Sequence, residues 1–445
     1  MKTPPTFFLL LLALTVPLTP RELLSQQEIP IEVRGPRVVV PTRVEGSPPL
    51  DLVLDTGMGM RGVYLFRREH SKWVDETPNV LVQIPGAGGG EPSNARVIDA
   101  QRLTAGPVVL DSQTVFVSQS DLTQDWSFDG VIGKSLLVDF TVEIDYDRSV
   151  MRLHDRDWHP EGPEWTRIPV RIQRGTPWFE AEVEAEEGVT HSTEVYIDLA
   201  SASTLELLVG SDRPFTPPSG AAEVEVGVGL SGEIRGWRGH APRLRVAGYD
   251  LRDVPAEWAP AEVRSKGGSA GAILGNGFMR HFNVVFQYAE EALYLRPSQL
   301  FLEAYPGQTA AQEPSQAVDK AAEGGESATR RWQDIAEKPV PVRYSHSPEL
   351  KNWAESLRLT IEQHPPELRD AGIGGTVHLW VLVDREGIVR KAVTRQSSGH
   401  ETLDQVALGL APHLRFYPAL DRATPVPSWY SVPFQFPSRT PDFRD

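Results

Sequence analysis

Three landmarks of this 445-residue chain recur at a nearly constant offset, which limits its fold more than any other feature. Asp55 ends the apolar run Leu50-Asp51-Leu52-Val53-Leu54, and Asp198 ends Val195-Tyr196-Ile197, 143 residues later. Gly133 closes Gly130-Val131-Ile132-Gly133, and Gly275 closes Ala272-Ile273-Leu274-Gly275, 142 residues later. Tyr146 in Ile144-Asp145-Tyr146 is matched, again at 142, by Tyr288 in Phe286-Gln287-Tyr288. Similarity at a fixed offset means two copies of one structural unit.

The residues between the landmarks say what kind of unit is repeated. From Ile29 to about Pro297 the apolar residues come in short alternating or continuous runs, such as Val108 to Val117 and Val142 to Leu153. Clusters of Gly, Pro and Asp separate them, the pattern of a mainly β region. The 38 Pro and 37 Gly likewise favour turns and short strands over long helices. Two β lobes are therefore expected, over residues 29–157 and 165–300. Residues 306–340 are dominated by Ala, Glu, Gln and Ser without an apolar period, which predicts a flexible linker. A different unit follows over residues 341–437. Leu350, Trp353, Leu357 and Ile361 are spaced for a helix over 348–368. Strands over 377–383 and 388–393 are joined by Asp384-Arg385-Glu386-Gly387, with Gly at the turn. A second helix over 403–414 and a last strand over 429–436 complete a small α/β unit.

Charge and composition exclude several functions. The formal net charge is −16, and the part beyond Pro341 is neutral, so the whole excess lies in the first 340 residues. An acidic body repels phosphate backbones, and no nucleic-acid partner is expected. With no cysteine, a thiol nucleophile, a Cys-ligated metal and a disulfide framework are all excluded. Met1-Lys2, then an apolar run from Phe7 to Leu14, reads as a secretory signal over residues 1–26, which predicts a periplasmic or cell-envelope location. No later stretch is apolar for the roughly 20 residues a membrane helix needs.

The strongest chemical signal is Asp55-Thr56-Gly57 at the end of its apolar strand. Such a strand can hold a carboxylate at the floor of a cleft, with the Thr hydroxyl bracing the loop and Gly57 allowing close backbone packing. Gly130-Val131-Ile132-Gly133 resembles the apolar-apolar-Gly segment that in an aspartic protease threads behind such a loop. Ile84-Pro85-Gly86-Ala87-Gly88-Gly89-Gly90 is a candidate mobile hairpin over bound substrate, with Gly86, Gly88 and Gly89 giving it freedom. Other signals are weaker. Gly267-Gly268-Ser269-Ala270-Gly271 has the spacing of a nucleophile elbow, but no apolar strand precedes it. His154, His159 and His191 lack metal-ligand spacing and read as surface or loop residues.

Residues from about Ile29 to Pro297 resemble the retropepsin-like aspartyl protease family of bacteria, in a two-lobed, single-chain form with a pepsin/retropepsin-like β fold. The resemblance implies an endopeptidase in which paired aspartates share a proton and activate a water, with no metal or organic cofactor. Asp55, Thr56 and Gly57 fall on the family's triplet, and Met58 stands where Ala or Ser is usual. The second copy reads Ile197-Asp198-Leu199-Ala200-Ser201, so Thr is replaced by Leu and Gly by Ala. Three readings stay open there. Asp198 is the second catalytic carboxylate, giving a monomeric enzyme, or two chains pair their Asp55 residues in a homodimer. In the third reading the region is a catalytically inactive peptide- or protein-binding module.

Residues 341–437 resemble the TonB C-terminal domain. The resemblance rests on Pro348-Glu349-Leu350-Lys351-Asn352, Gly374-Gly375-Thr376-Val377, Val381 to Gly387, Leu403-Asp404 and Phe416-Tyr417-Pro418-Ala419. It implies a sheet edge able to accept an extended peptide, and hence an envelope or outer-membrane protein as partner beside the peptide or protein substrate.

Overall fold

The computed structural model describes residues 28–74, 80–264, 270–306, 339, 344–422 and 424–438. The expected signal segment, nearly all of the expected linker and most of the 267–271 glycine segment lie outside the described residues. The chain is mainly β, and its two large sheets repeat one topology. The first, in order across the sheet, contains Glu32–Arg34, Arg37–Val44, Leu50–Leu54, Gly130–Ile132, Val63–Leu65, Val108–Ser118, Ser93–Ala105 and Val80–Ile84. The second contains Arg171–Gln173, Thr176–Glu186, Val189–Asp198, Ala272–Gly275, Leu205–Val209, Tyr249–Pro260, Gly232–Val246 and Val224–Gly229. Position by position, the two orders are the same.

The register keeps the sequence offset. Leu52 pairs with Gly130 and Leu54 with Ile132 in parallel, and Val195 pairs with Ala272 and Ile197 with Leu274 in parallel. Parallel pairing in the middle of a sheet needs cover on both faces, and these strands are accordingly continuous apolar runs rather than alternating ones. Leu52, Leu54, Ile132, Ile197 and Leu274 have no exposed surface.

A six-stranded sheet joins the lobes, with three strands from each. At its centre Thr141–Asp145 runs antiparallel to Phe282–Gln287, with Glu143 opposite Val285. Those two residues are themselves 142 apart, so the approximate twofold axis relating the lobes passes close to that pair. One continuous apolar core runs through both lobes and includes Val142, Ile144, Val284 and Phe286.

The C-terminal unit has a three-stranded sheet in the order Val389–Gln396, Gly375–Val383, Ser428–Phe436, covered by helix Glu401–Leu410. The expected first helix is split into Trp353–Glu362 and Pro366–Asp370. Pro365 and Pro366 lack the N–H that a continuing helix requires. Pro412 likewise ends the second helix early, and residues 411–413 tighten into a 3₁₀ turn. The hairpin turn is as expected: Asp384 Oδ1 accepts from the Glu386 and Ile388 amides, and Gly387 has φ +82°.

Two histidine expectations need correction. His154 is a buried strand residue whose Nε2 lies 2.7 Å from Glu143 Oε2, and its ring stacks on Trp158. His191 is a half-buried strand residue packed edge-on against Phe215. Their isolation in the sequence concealed pairings that only the sheet register creates. His159 is exposed outside regular structure, as expected.

Candidate active site

Asp55 and Asp198 stand just past or at the ends of equivalent central strands and line the same cleft, a cavity of about 1290 Å³ between the lobes. Gly57 measures how close they come. A Cβ built there would lie 2.8 Å from Asp55 Oδ1 and 3.2 Å from Asp198 Oδ1. The two oxygens are therefore within about 6 Å of each other, a span one water can bridge with two hydrogen bonds of ordinary length. Any side chain at position 57 would enter that space.

The loops carrying the carboxylates are tied to each other through buried Thr56. Its hydroxyl donates to the Ile197 carbonyl at 2.7 Å and accepts from the Leu199 amide at 3.0 Å. Leu199 cannot return the bond, and its side chain lies in the core instead. The return bond comes from Thr176, whose buried hydroxyl donates to the Thr56 carbonyl at 3.1 Å. On the opposite side Arg37 Nε donates to the Ala200 carbonyl at 3.0 Å. Each lobe thus braces the aspartate-bearing loop of the other with a residue near its first hairpin, and the sequence carries no motif that marks either one. The Asp198 carboxylate is fixed by amides: Oδ1 accepts from Ala200 N at 3.1 Å and Ser201 N at 3.2 Å.

The expected supporting glycines occupy close backbone crossings. A Cβ at Gly133 would strike the Asp55 carbonyl, at Gly130 the Tyr64 carbonyl, and at Gly275 the Ser203 carbonyl. The Asp55 amide donates to the Ile132 carbonyl at 2.8 Å, which anchors the loop to the segment behind it.

Ile84, Pro85, Gly86 and Ala87 of the 84–90 hairpin line the cleft, and the hairpin meets a counterpart that the sequence reading missed. Residues 229–232, between Val224–Gly229 and Gly232–Val246, form the equivalent turn of the second lobe. Gly90 N donates to Ser231 O at 2.6 Å, Ser231 N to Ala87 O at 2.9 Å, and Gly89 N to Glu233 O at 3.2 Å. Gly88 N donates to Val263 O at 2.9 Å, and Gly86 N to the Ser231 hydroxyl at 3.2 Å. The 142-residue offset maps Gly90 onto Gly232, so the repeat itself held the signal.

Both lobes line the cleft with apolar and charged groups, among them Phe66, Trp126 and Lys134 from the first and Tyr196, Val226 and Arg264 from the second. Arg264 is ion-paired with fully buried Glu206. Burial pushes the Glu206 carboxyl up, while Arg264 opposes the shift. Burial also raises the Tyr288 phenol, and the nearby Asp55 charge adds to the effect. Among the described residues no group of three or more His, Asp or Glu side chains could hold a metal ion.

The C-terminal unit reaches this site directly. Tyr344, Ser345, Ser347 and Tyr430 share the cleft lining with the two aspartates. Among the described residues no helix is long and apolar enough to cross a membrane. No curated protein matches the chain. Its residues 362–437 match the family described as the Gram-negative bacterial TonB protein C-terminal.

Proposed function

We propose that the chain is an aspartic endopeptidase of the retropepsin-like kind, its site assembled from both lobes of one chain. One observation carries the reading. Two aspartates at equivalent positions of a duplicated β unit flank Gly57 in a single cleft, with loops cross-braced through Thr56. Two carboxylates that hold one water between them can divide the work, one as general base and the other as general acid. The ionised one takes a proton from the bridging water as the water oxygen attacks the peptide carbonyl carbon. The protonated one gives its proton to the carbonyl oxygen. Collapse of the resulting diol breaks the C–N bond, and a proton passes to the departing nitrogen. The pairing of Asp55 with Asp198 within one chain leaves no need for a second copy to supply the partner carboxylate. The replacement of the second Thr by Leu199 is offset by Thr176.

The cleft of about 1290 Å³ that both lobes and both hairpins line has room for several residues of an extended polypeptide substrate. The matched C-terminal family supports a Gram-negative envelope location and a protein-docking role for that unit.

Digestion of unfolded casein by the full chain between pH 4 and 7, beside Asp55→Asn, tests the reading. Cleavage by the wild type and none by the variant is expected. If neither cleaves while both bind casein peptides, the cleft is a binding site and the peptidase reading fails.

A further inference from the structure

Resting on the peptidase reading, we propose that the C-terminal unit is a third wall of the substrate cleft. Tyr344 and Tyr430 would form a subsite for an apolar or aromatic side chain of an extended peptide, away from the scissile bond. Both line the cavity that holds Asp55 and Asp198. Tyr430 lies on Ser428–Phe436, an edge strand of its sheet, and Tyr344 is 36% exposed. An aromatic face at a cleft rim offers large apolar area with a hydroxyl that can stay in water.

The wall is built in, because the unit docks through buried charge. Glu349 Oε2 lies 2.6 Å from Lys134 Nζ, with both side chains almost inaccessible, and Glu349 Oε1 accepts from the Arg61 amide. Lys134 Nζ also donates to the Gly59 carbonyl at 3.2 Å. Glu349 therefore grips the stretch of backbone that follows Gly57. Arg61 is ion-paired with Asp139 at 2.7 Å and stacks over the Tyr417 ring at 4.2 Å. The Tyr417 hydroxyl donates to the Ser112 carbonyl at 3.0 Å. Asp99 Oδ2 accepts from the Ala354 amide at 2.7 Å, so a first-lobe carboxylate caps helix Trp353–Glu362. Ala354 is fully buried in a cluster with Met58, Tyr64 and Phe66 of the cleft wall. A unit held this way is part of the site rather than a freely tethered module.

The test uses full-length wild type, Tyr344→Ala and Tyr430→Ala on an unfolded casein digest, with cleavage sites read by mass spectrometry. The half-exposed Tyr344 can be removed without opening the core, which keeps one variant folded. The expected result is a loss of preference at one position remote from the cut, with the two flanking positions unchanged. Alongside it, kcat/KM for long peptides should fall about tenfold, while short ones are spared. Superimposable profiles and rates would overturn the proposal. If the wild type cuts nothing, the peptidase reading fails, and binding decides the wall. Fluorescence anisotropy with labelled casein peptides on Asp55→Asn, with and without Tyr344→Ala, then supports it if affinity drops about tenfold. Equal affinity, or no binding by either, overturns it.

Discussion

Thr56 and Thr176 carry more of the geometry around Asp55 and Asp198 than their hydroxyls suggest. Thr176→Val leaves the buried Thr56 carbonyl without its donor, which costs about 1–3 kcal/mol. The loss should appear as a lower urea midpoint with an unchanged slope. Thr56→Val removes two buried bonds and should cost more. Asp55 and its supporting triplet were legible in the sequence because the motif is local, and the end of a buried strand explains each of its residues. Thr176 and Arg37 were not legible. Each acts across the lobe boundary at a sequence separation above a hundred residues, and nothing periodic marks either one.

The repeat made the strands easy to anticipate, since an offset that survives in Asp, Gly and Tyr landmarks survives in the register of the sheets. The same offset would have revealed the hairpin at 229–232, hidden only because Leu230 and Ser231 interrupt its glycines. Within the first hairpin the glycines are not equivalent. Gly88 has φ +125°, and a Cβ there would lie 2.5 Å from the Gly232 carbonyl, whereas at Gly89 the nearest atom is 3.8 Å away. Gly88→Ala should raise KM severalfold and speed hydrogen exchange at the 88–90 amides. Gly89→Ala should do neither. Equal behaviour of the two variants would mean that the meeting of the hairpins does not hold substrate. Helix ends in the C-terminal unit were misjudged where apolar spacing ran on through Pro365, Pro366 and Pro412; loss of the backbone donor outweighs periodicity there.

The whole molecule is more consolidated than a pair of lobes trailing a tethered module, and this was the least legible feature. The docking contacts are single residues such as Glu349, Asp99 and His346, which carry no pattern. His346 stacks on Tyr288, and burial, with Lys134, Arg156 and Arg61 nearby, lowers it from 6.5 to about 3. Being depressed, it contributes stability above pH 6.5 that is lost as pH falls toward 3. Asp99 runs the other way. Burial raises it from 3.8 to about 6, so its contribution is present below pH 3.8 and lost as pH rises through 6. Relative to wild type, His346→Gln should therefore gain thermal stability as pH falls from 6.5 to 4. Asp99→Asn should gain as pH rises from 3.8 to 6 and level off above that, less the cost of its altered cap. Flat difference curves would show that neither group titrates at this interface. The central claim remains that Asp55 and Asp198 act as one unit, and kcat/KM of Asp55→Asn, Asp198→Asn and the double variant on one casein-derived peptide tests it most directly. Each single variant should lose on the order of 10³-fold or more, with the double no worse, because groups that act on one water as a unit fail together. Full activity in Asp198→Asn would contradict the account.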